Sequence, residues 1–533
     1  MKMISRLFCK AAGLPADLRR NPPSIRLNRM RAAALLLALL ANAGCIAQAG
    51  RGGDPVPSAP AAASEMPGTA AYPVPVTGTS GAPDATAAAY PAPETAEPAA
   101  SGSRGYLTTP QELRAVAEKA RAGIEPYHSA VADVMEHAAR PWDFRLDAVT
   151  GCPSADEPEW IDDEKGVPRL YARALAYHLT GDEKYAAEVR AILERIMTEV
   201  ETISLSQQQC RLNFSWGTPE LVASADLIED YWRGQQCKGP ASAIHGDPAL
   251  TSGPCKQLFQ NWLVKNPYYL VSYSAERSTN NWGAAATNAA AYIADYLWDR
   301  PEVRMTARVG IDKRTTVDTA FSPAEAYARA RKLALDRMNG LRVDLDSSEA
   351  CDEFDGRQQS SRFPPVKSQI TELGIIPDDA RRDEYCNITV YSNHYQNYPQ
   401  VHLGNNIQQC ELMHRRGDDS CYQNVSQDEI IGFEFIGPNG KTYVTNLRSG
   451  RGSIERAIKA IIVDSGMEWR KDSALEVAYR YYATRHTLPG FEQWFEHLDR
   501  PAPCSQDICF GTLTHGFAPG EIPQDPPVVS PPN

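Results

Sequence analysis

From Thr109 to Thr484 the chain reads as one amphipathic helical segment after another, with almost no stretch in which apolar and polar residues alternate. That pattern constrains the fold more than any motif does. A helix with one apolar stripe must bury it, and where strands are scarce it can do so only against other helices. Thr109-Pro110-Gln111-Glu112 has the form of a capping box with Pro at the first helical position, opening a helix to about Ala122. Within 166–179, Leu170, Ala174, Leu175 and Tyr177/His178 fall at helical spacing; Thr180-Gly181-Asp182 interrupts, and 184–198 forms a second helix. Segments 218–232, 283–297, 323–339, 401–416, 454–463 and 475–484 continue the pattern. The best strand signal is 432–444, with Pro438-Asn439-Gly440 as a hairpin turn. There is no heptad seam, and no strict repeat supports a TPR or HEAT array; helix pairs joined by short turns suggest a ring or solenoid. The expected fold is mainly α: an (α/α) toroid or incomplete barrel of antiparallel helix pairs, with a small β-hairpin insertion.

The flanks of this region have a different character. Arg26, Arg29 and Arg31 precede a run of Ala and Leu over 32–40, too short to span a bilayer. Basic, apolar and then small residues read as a secretory signal over 1–49, with Met30 as an alternative start. Ala47-Gln48-Ala49 is an A-x-A cleavage site; Ala43-Gly44-Cys45 is the competing lipobox-like reading, in which Cys45 carries a lipid anchor. Residues 50–104 are Ala, Pro, Gly, Ser and Thr with few large aliphatics, which predicts a disordered linker. The Pro-rich tail 518–533 is expected to be disordered for the same reason, leaving a folded domain over 105–517.

Export agrees with the cysteines. Of twelve, ten lie beyond Cys45, and none forms C-x-x-C, so disulfides are their expected use and the expected location is periplasmic or secreted. Sequence-near pairs are favoured: 504–509, 237–255 and 410–421, then 351–386 and 152–210. The net charge is -12, and without residues 1–49 the balance is 46 basic against 65 acidic residues. So acidic a chain is poorly suited to nucleic acid or to an anionic membrane surface, which call for Lys and Arg.

Two stretches could carry chemistry. Arg277-Ser-Thr-Asn280-Asn281-Trp282-Gly283 stands before an Ala-rich helix. Asn280 or Asn281 could be no more than the helix cap; alternatively, paired amides and the Trp face line a sugar site, with amides donating to a carboxylate. The second stretch runs from Tyr391 through His394, Tyr395 and Tyr398 to His402, with three Tyr and two His in twelve residues and Val401 as the lone aliphatic. Arg357, Arg362, Arg381 and Arg382 lie upstream as sources of positive charge. Acidic runs at Asp162-Asp163-Glu164 and Asp352-Glu353-Asp355 could act as a glycosidase acid/base pair or a calcium site, though such runs are more often solvated loops. Nucleophile-elbow, P-loop, Rossmann and H-E-x-x-H motifs are missing from the sequence.

In their order along the chain, several motifs resemble the alginate lyase family of helical toroid polysaccharide lyases, over about residues 110–500. Tyr171–Met197 resembles a helix pair common to such toroids, and Asn280-Asn281-Trp282-Gly283 resembles the family's Asn-Asn-His-Gly segment, with Trp282 where the family has His. Tyr398–Gly417 resembles the helix that starts at the family's catalytic Tyr, and counting back from Glu411 and Gly417 places Tyr398 at that position. Ser453–Ile458 and Leu475–Tyr481 are similar to its late helices.

The resemblance implies β-elimination on a uronate polymer such as alginate or glucuronan, with no cofactor and no metal. It makes Tyr398 the candidate proton-transfer residue, with Tyr391, His394 and Tyr395 as rivals, and Asn280, Asn281, Trp282 and Arg277 as substrate-binding residues. A tyrosine base would need a nearby cation, since free Tyr titrates near ~10. The expected partner is an acidic polysaccharide. A glycoside hydrolase on a similar toroid and a non-catalytic carbohydrate-binding surface protein are the alternatives.

Overall fold

The computed structural model describes residues 102–142, 166–200, 208–240, 251–310, 315–339, 397–424, 429–436, 442–449, 453–464, 472–495, 498–504 and 508–532, with short pieces between 342 and 379. The expected signal segment and most of the expected linker lie outside the described residues.

Helix α1 (Pro110–Arg121) starts where the capping sequence places it, and the Thr109 hydroxyl accepts from the Glu112 N–H at 3.1 Å. The reciprocal half of the box is replaced, because the Glu112 carboxylate pairs with Arg415 at 3.0 Å. Helix α2 (Tyr127–Ala139) follows. Helix α3 (Val167–Thr180) ends on Gly181, whose φ of 74° needs a glycine, and Asp182 caps α4 (Glu183–Glu199) by accepting from the Lys184 N–H at 3.0 Å. The Thr-Gly-Asp interruption is thus one helix's stop and the next one's start.

Helix α5 (Gln208–Leu227) begins well before the expected position. Strands β1 (Gln236–Lys238) and β2 (Ser252–Pro254) pair antiparallel, and Cys237–Cys255 joins β1 to the start of α6 (Cys255–Leu263). A wide π turn, Val264–Tyr268, containing Pro267, links α6 to α7 (Tyr269–Arg277). Helix α8 (Asn281–Tyr296) is followed by a hairpin of β3 (Met305–Gly310) and β4 (Thr316–Phe321), which the sequence did not signal. Helix α9 (Pro323–Met338) carries a complete Ser322/Glu325 capping box. Helices α10 (Asn397–Arg415), α11 (Ile454–Lys459), α12 (Asp472–Tyr482) and α13 (Gly511–His515) complete the set. The expected hairpin is present as Glu429–Ile436 paired antiparallel with Thr442–Ser449. The fold is mainly helical, and among the described residues no helix is long and apolar enough to cross a membrane.

Helix α8 occupies the middle of the packing, against α5, α7, α9 and α10. Its alanines (284–286, 289–291 and 294) are buried and let four neighbours approach closely. The short α13 packs on α12 and also on α1 and α2, so the last helix lies beside the first two. Disulfides Cys410–Cys421 and Cys504–Cys509 form as expected. Cys210 is also disulfide-bonded, while Cys152 and Cys386 lie outside the described residues.

Two boundaries differ from expectation. Folded structure begins before Gly105: the Ser103 hydroxyl and the Arg104 N–H both donate to Asp226, at 2.6 and 2.8 Å. Asp295, fully buried, takes the Arg104 guanidinium at 3.0 Å and the Arg416 guanidinium at 2.8 Å. Burial alone would raise the Asp295 pKa, but the two guanidiniums outweigh it and hold it at about 2, below the ordinary 3.8. The tail expected to be disordered is instead a strap on the core. Glu521 accepts from the Tyr127 hydroxyl at 2.6 Å and pairs with Lys119, and Arg485 pairs with Asp525 at 2.6 Å. The Val529 N–H donates to the Arg415 carbonyl at 2.9 Å, and Arg104 donates to the Ser530 carbonyl at 2.8 Å. Prolines leave such a segment few backbone N–H groups, so side chains of the core supply most of its anchoring.

A chain starting at Gly102 should unfold at the full-length temperature. One starting at Gly105, or one ending at Pro519, should unfold lower by about 5 °C or more, measured by calorimetry. Asp295→Asn should destabilise by about 3–5 kcal/mol, because two buried guanidiniums lose their counter-charge. The wild-type contribution of Asp295 is fully present above pH 3.8 and is lost as pH falls through about 2, so denaturant midpoints should drop across that window and drop less in the variant.

Candidate functional site

The first chemistry-bearing stretch and the described part of the second, Tyr398 to His402, lie at the N-terminal ends of α8 and α10. The turn 278–280 between α7 and α8 is held by Arg337, which is buried and donates to the Ala275 and Ser278 carbonyls at 3.2 and 3.0 Å and to the Thr287 hydroxyl at 3.0 Å. These bonds cap the end of α7 with a cation. A Cβ on Gly283 would overlap the Ser278 carbonyl, so the turn closes this tightly only with glycine there.

Asn280 is the N-cap of α8: its Oδ1 accepts from the Trp282 N–H at 3.1 Å, which is the cap role open to it from the sequence. Its amide nitrogen stays available as a donor. Asn281, the first helical residue, is buried, and its N–H donates to Oδ1 of Asp379 at 3.1 Å. Asp379, also buried, places Oδ2 2.6 Å from Nδ1 of His402 in α10. One turn before His402, on the same face, stands Tyr398, 39 % exposed in the first turn of α10. A single carboxylate therefore ties the start of α8 to the face of α10 that carries the tyrosine.

The pairing also sets the histidine's tautomer. With Nδ1–H donating to Asp379, Nε2 is the nitrogen with which the ring can accept or give a proton. Carboxylate–imidazole pairs of this kind orient a base and stabilise its charged form.

Arg277 is buried near the end of α7, its guanidinium 5.2 Å from the centroid of the Tyr273 ring; Arg211 from α5 lies 4.6 Å from the same centroid. Trp282 is half-buried and packs against the hydrophobic core. Further along α10, Glu411 lies 2.8 Å from Arg415 and 3.2 Å from His515. Burial would raise the Glu411 carboxyl, but His515 and Arg415 hold it well below the carboxylate range, while burial pulls the His515 imidazole down.

Of the expected site residues, Asn280, Asn281, Trp282, Arg277 and Tyr398 are all described, and Asp379 connects Asn281 to the helix that carries Tyr398. Tyr391, His394 and Tyr395 lie outside the described residues, as do Arg362, Arg381, Arg382 and the acidic run 162–164. Asp379 and Arg211 were not singled out by sequence, and His402 was named only as the end of the Tyr/His stretch, without a role of its own. His402 had a signal, its i,i+4 spacing from Tyr398; Asp379, in the run Pro377-Asp378-Asp379, had none. Among the described residues no cluster of three His, Cys, Asp or Glu side chains is placed to hold a metal ion. The chain matches no protein-family model and no curated protein.

The short Asp379–His402 bond should give a downfield imidazole N–H proton signal in the wild type. That signal should vanish in both Asp379→Ala and His402→Gln; survival in either would mean that the two side chains are not paired.

Proposed function

We propose that this protein is an exported polysaccharide lyase that cleaves a uronate polymer by β-elimination. The observation that carries the reading is the Asp379 bridge, which joins the Asn281 backbone to His402, one turn from Tyr398. In this reading, the Asn280 and Asn281 amides and the Arg277 guanidinium neutralise the uronate carboxylate and so acidify the neighbouring C5–H. Tyr398, or His402 through Nε2, takes that proton. The C5–H electron pair becomes the C4=C5 double bond, the C4–O bond breaks, and the leaving oxygen is protonated by the other of the two residues. Asp379 acts on His402 and is a positioning residue. The helix pairs close into a toroid in this proposal, which is supported by α13 packing on α1 and α2. The disulfides favour an oxidising compartment, in keeping with export.

Incubation with alginate, glucuronan and glycosaminoglycans should raise ultraviolet absorbance with at least one polymer, because the new double bond is conjugated with the carboxylate. Tyr398→Phe should lower that rate at least ~100-fold while the fold persists, and Asn281→Ala by about 10²-fold. Asp379→Asn should lower it by ~10-fold or more, since the imidazole loses its charged partner. New reducing ends without absorbance would instead identify a hydrolase, and an unchanged polymer a non-catalytic protein.

A further inference from the structure

From 264 through 280, every residue is buried except Lys265, Tyr269, Tyr273 and Asn280. The first three stand four residues apart, so they form one stripe along α7 and the π turn before it. About 12 Å separates Lys265 from Tyr273 at the helical rise, which is longer than one sugar ring. The stripe's far end opens into a cleft of about 300 Å³ lined by Val264, Lys265, Tyr269, Arg304, Thr306 and Asp318. Arg308 on β3 secures this end by donating to the Tyr269 hydroxyl at 2.8 Å and to Asp318 at 3.2 Å. The near end is Tyr273, backed by Arg211 and Arg277, and then Asn280.

We propose that Lys265, Tyr269, Arg304 and Asp318 form a distal subsite for an anionic sugar residue, and that the stripe through Tyr273 leads the chain to Asn280. The proposal deepens the lyase reading and rests on it for its direction along the chain. Cations spaced along a phenolic stripe match a ligand with carboxylates at intervals. Asp318 discriminates among polyanions: it can accept from sugar hydroxyls, whereas a phosphate backbone offers it no donor. The overall charge of -12 likewise disfavours a nucleic acid.

The test is affinity electrophoresis in native gels containing sodium alginate, polyglucuronate or neutral dextran, in a Tyr398→Phe background so that the gel polymer is not consumed. At least one uronate gel, but not dextran, should retard the protein. Lys265→Ala/Arg304→Ala should raise the apparent Kd at least ~10-fold, and the milder Lys265→Gln/Arg304→Gln should do the same if circular dichroism shows the alanine pair misfolded. Arg114→Ala/Arg121→Ala, equal in charge change and exposed on α1, should leave retardation unaltered. Equal retardation of the folded stripe variant, equal retardation by dextran, no retardation by either uronate, or stronger competition by single-stranded DNA than by oligouronate would each overturn the subsite. If the wild type produces no absorbing product but retardation depends on the stripe, the subsite stands and the lyase reading falls. If elimination occurs and the stripe variant binds as well as its parent, the reverse holds.

Discussion

Helix α10 is buried along most of its length, yet it carries polar and charged side chains on many faces. His402, Asn405, Asn406, Gln408, Glu411 and Arg415 are all buried, as is Arg416 just past its end. Such a helix is stable only where each charge meets a partner, and those partners come from distant parts of the chain: Glu112 and the Leu107 carbonyl for Arg415, Asp295 for Arg416, His515 for Glu411, Asp379 for His402. Apolar burial would tolerate several arrangements of these helices. The ion pairs tolerate few, and they fix which segment lies against which side of α10. They also explain why residues 103–104 and the C-terminal strap are drawn in, since Arg104 and Val529–Ser530 lie against the same arginines.

The same constraint builds the candidate site. At its C-terminal end α10 is held by Arg415 and Arg416; at its N-terminal end it is held by Asp379 to the first residue of α8. Helix α8, itself surrounded by four helices through its alanines, is a rigid base for Asn280 and Asn281. The buried Arg337 and the glycine at 283 fix the turn that presents them. A site supported in this way keeps its donors oriented before a ligand arrives, which preorganised stabilisation of a carboxylate requires.

Local signals in the sequence were reliable where the physics is local. The Thr-Gly-Asp break between α3 and α4, the cap at Thr109, the hairpin over 429–449 and three sequence-near disulfides all follow from nearest-neighbour chemistry. What depends on long-range partners was not legible. Asp379 has no pattern around it and gains its role only when His402 arrives from 23 residues away. The tail looked disordered because its composition cannot form a core of its own, but it need not: cations already fixed on α12 and elsewhere in the core hold it through carboxylates and carbonyls. Asn280 illustrates the overlap of the two kinds of role, with its oxygen given to the helix cap and its nitrogen the donor proposed for the ligand.

In the proposed reaction the residues gathered around Asp379 receive a uronate carboxylate and the C5–H beside it. A crystal structure of the Tyr398→Phe protein soaked with a uronate tetrasaccharide tests this most directly. One sugar carboxylate should be hydrogen-bonded to the Asn280 or Asn281 amide, with the C5–H of the same ring facing position 398 and Nε2 of His402. A saccharide bound elsewhere on the surface, or one in this site with its carboxylate turned away from the asparagines, would contradict it.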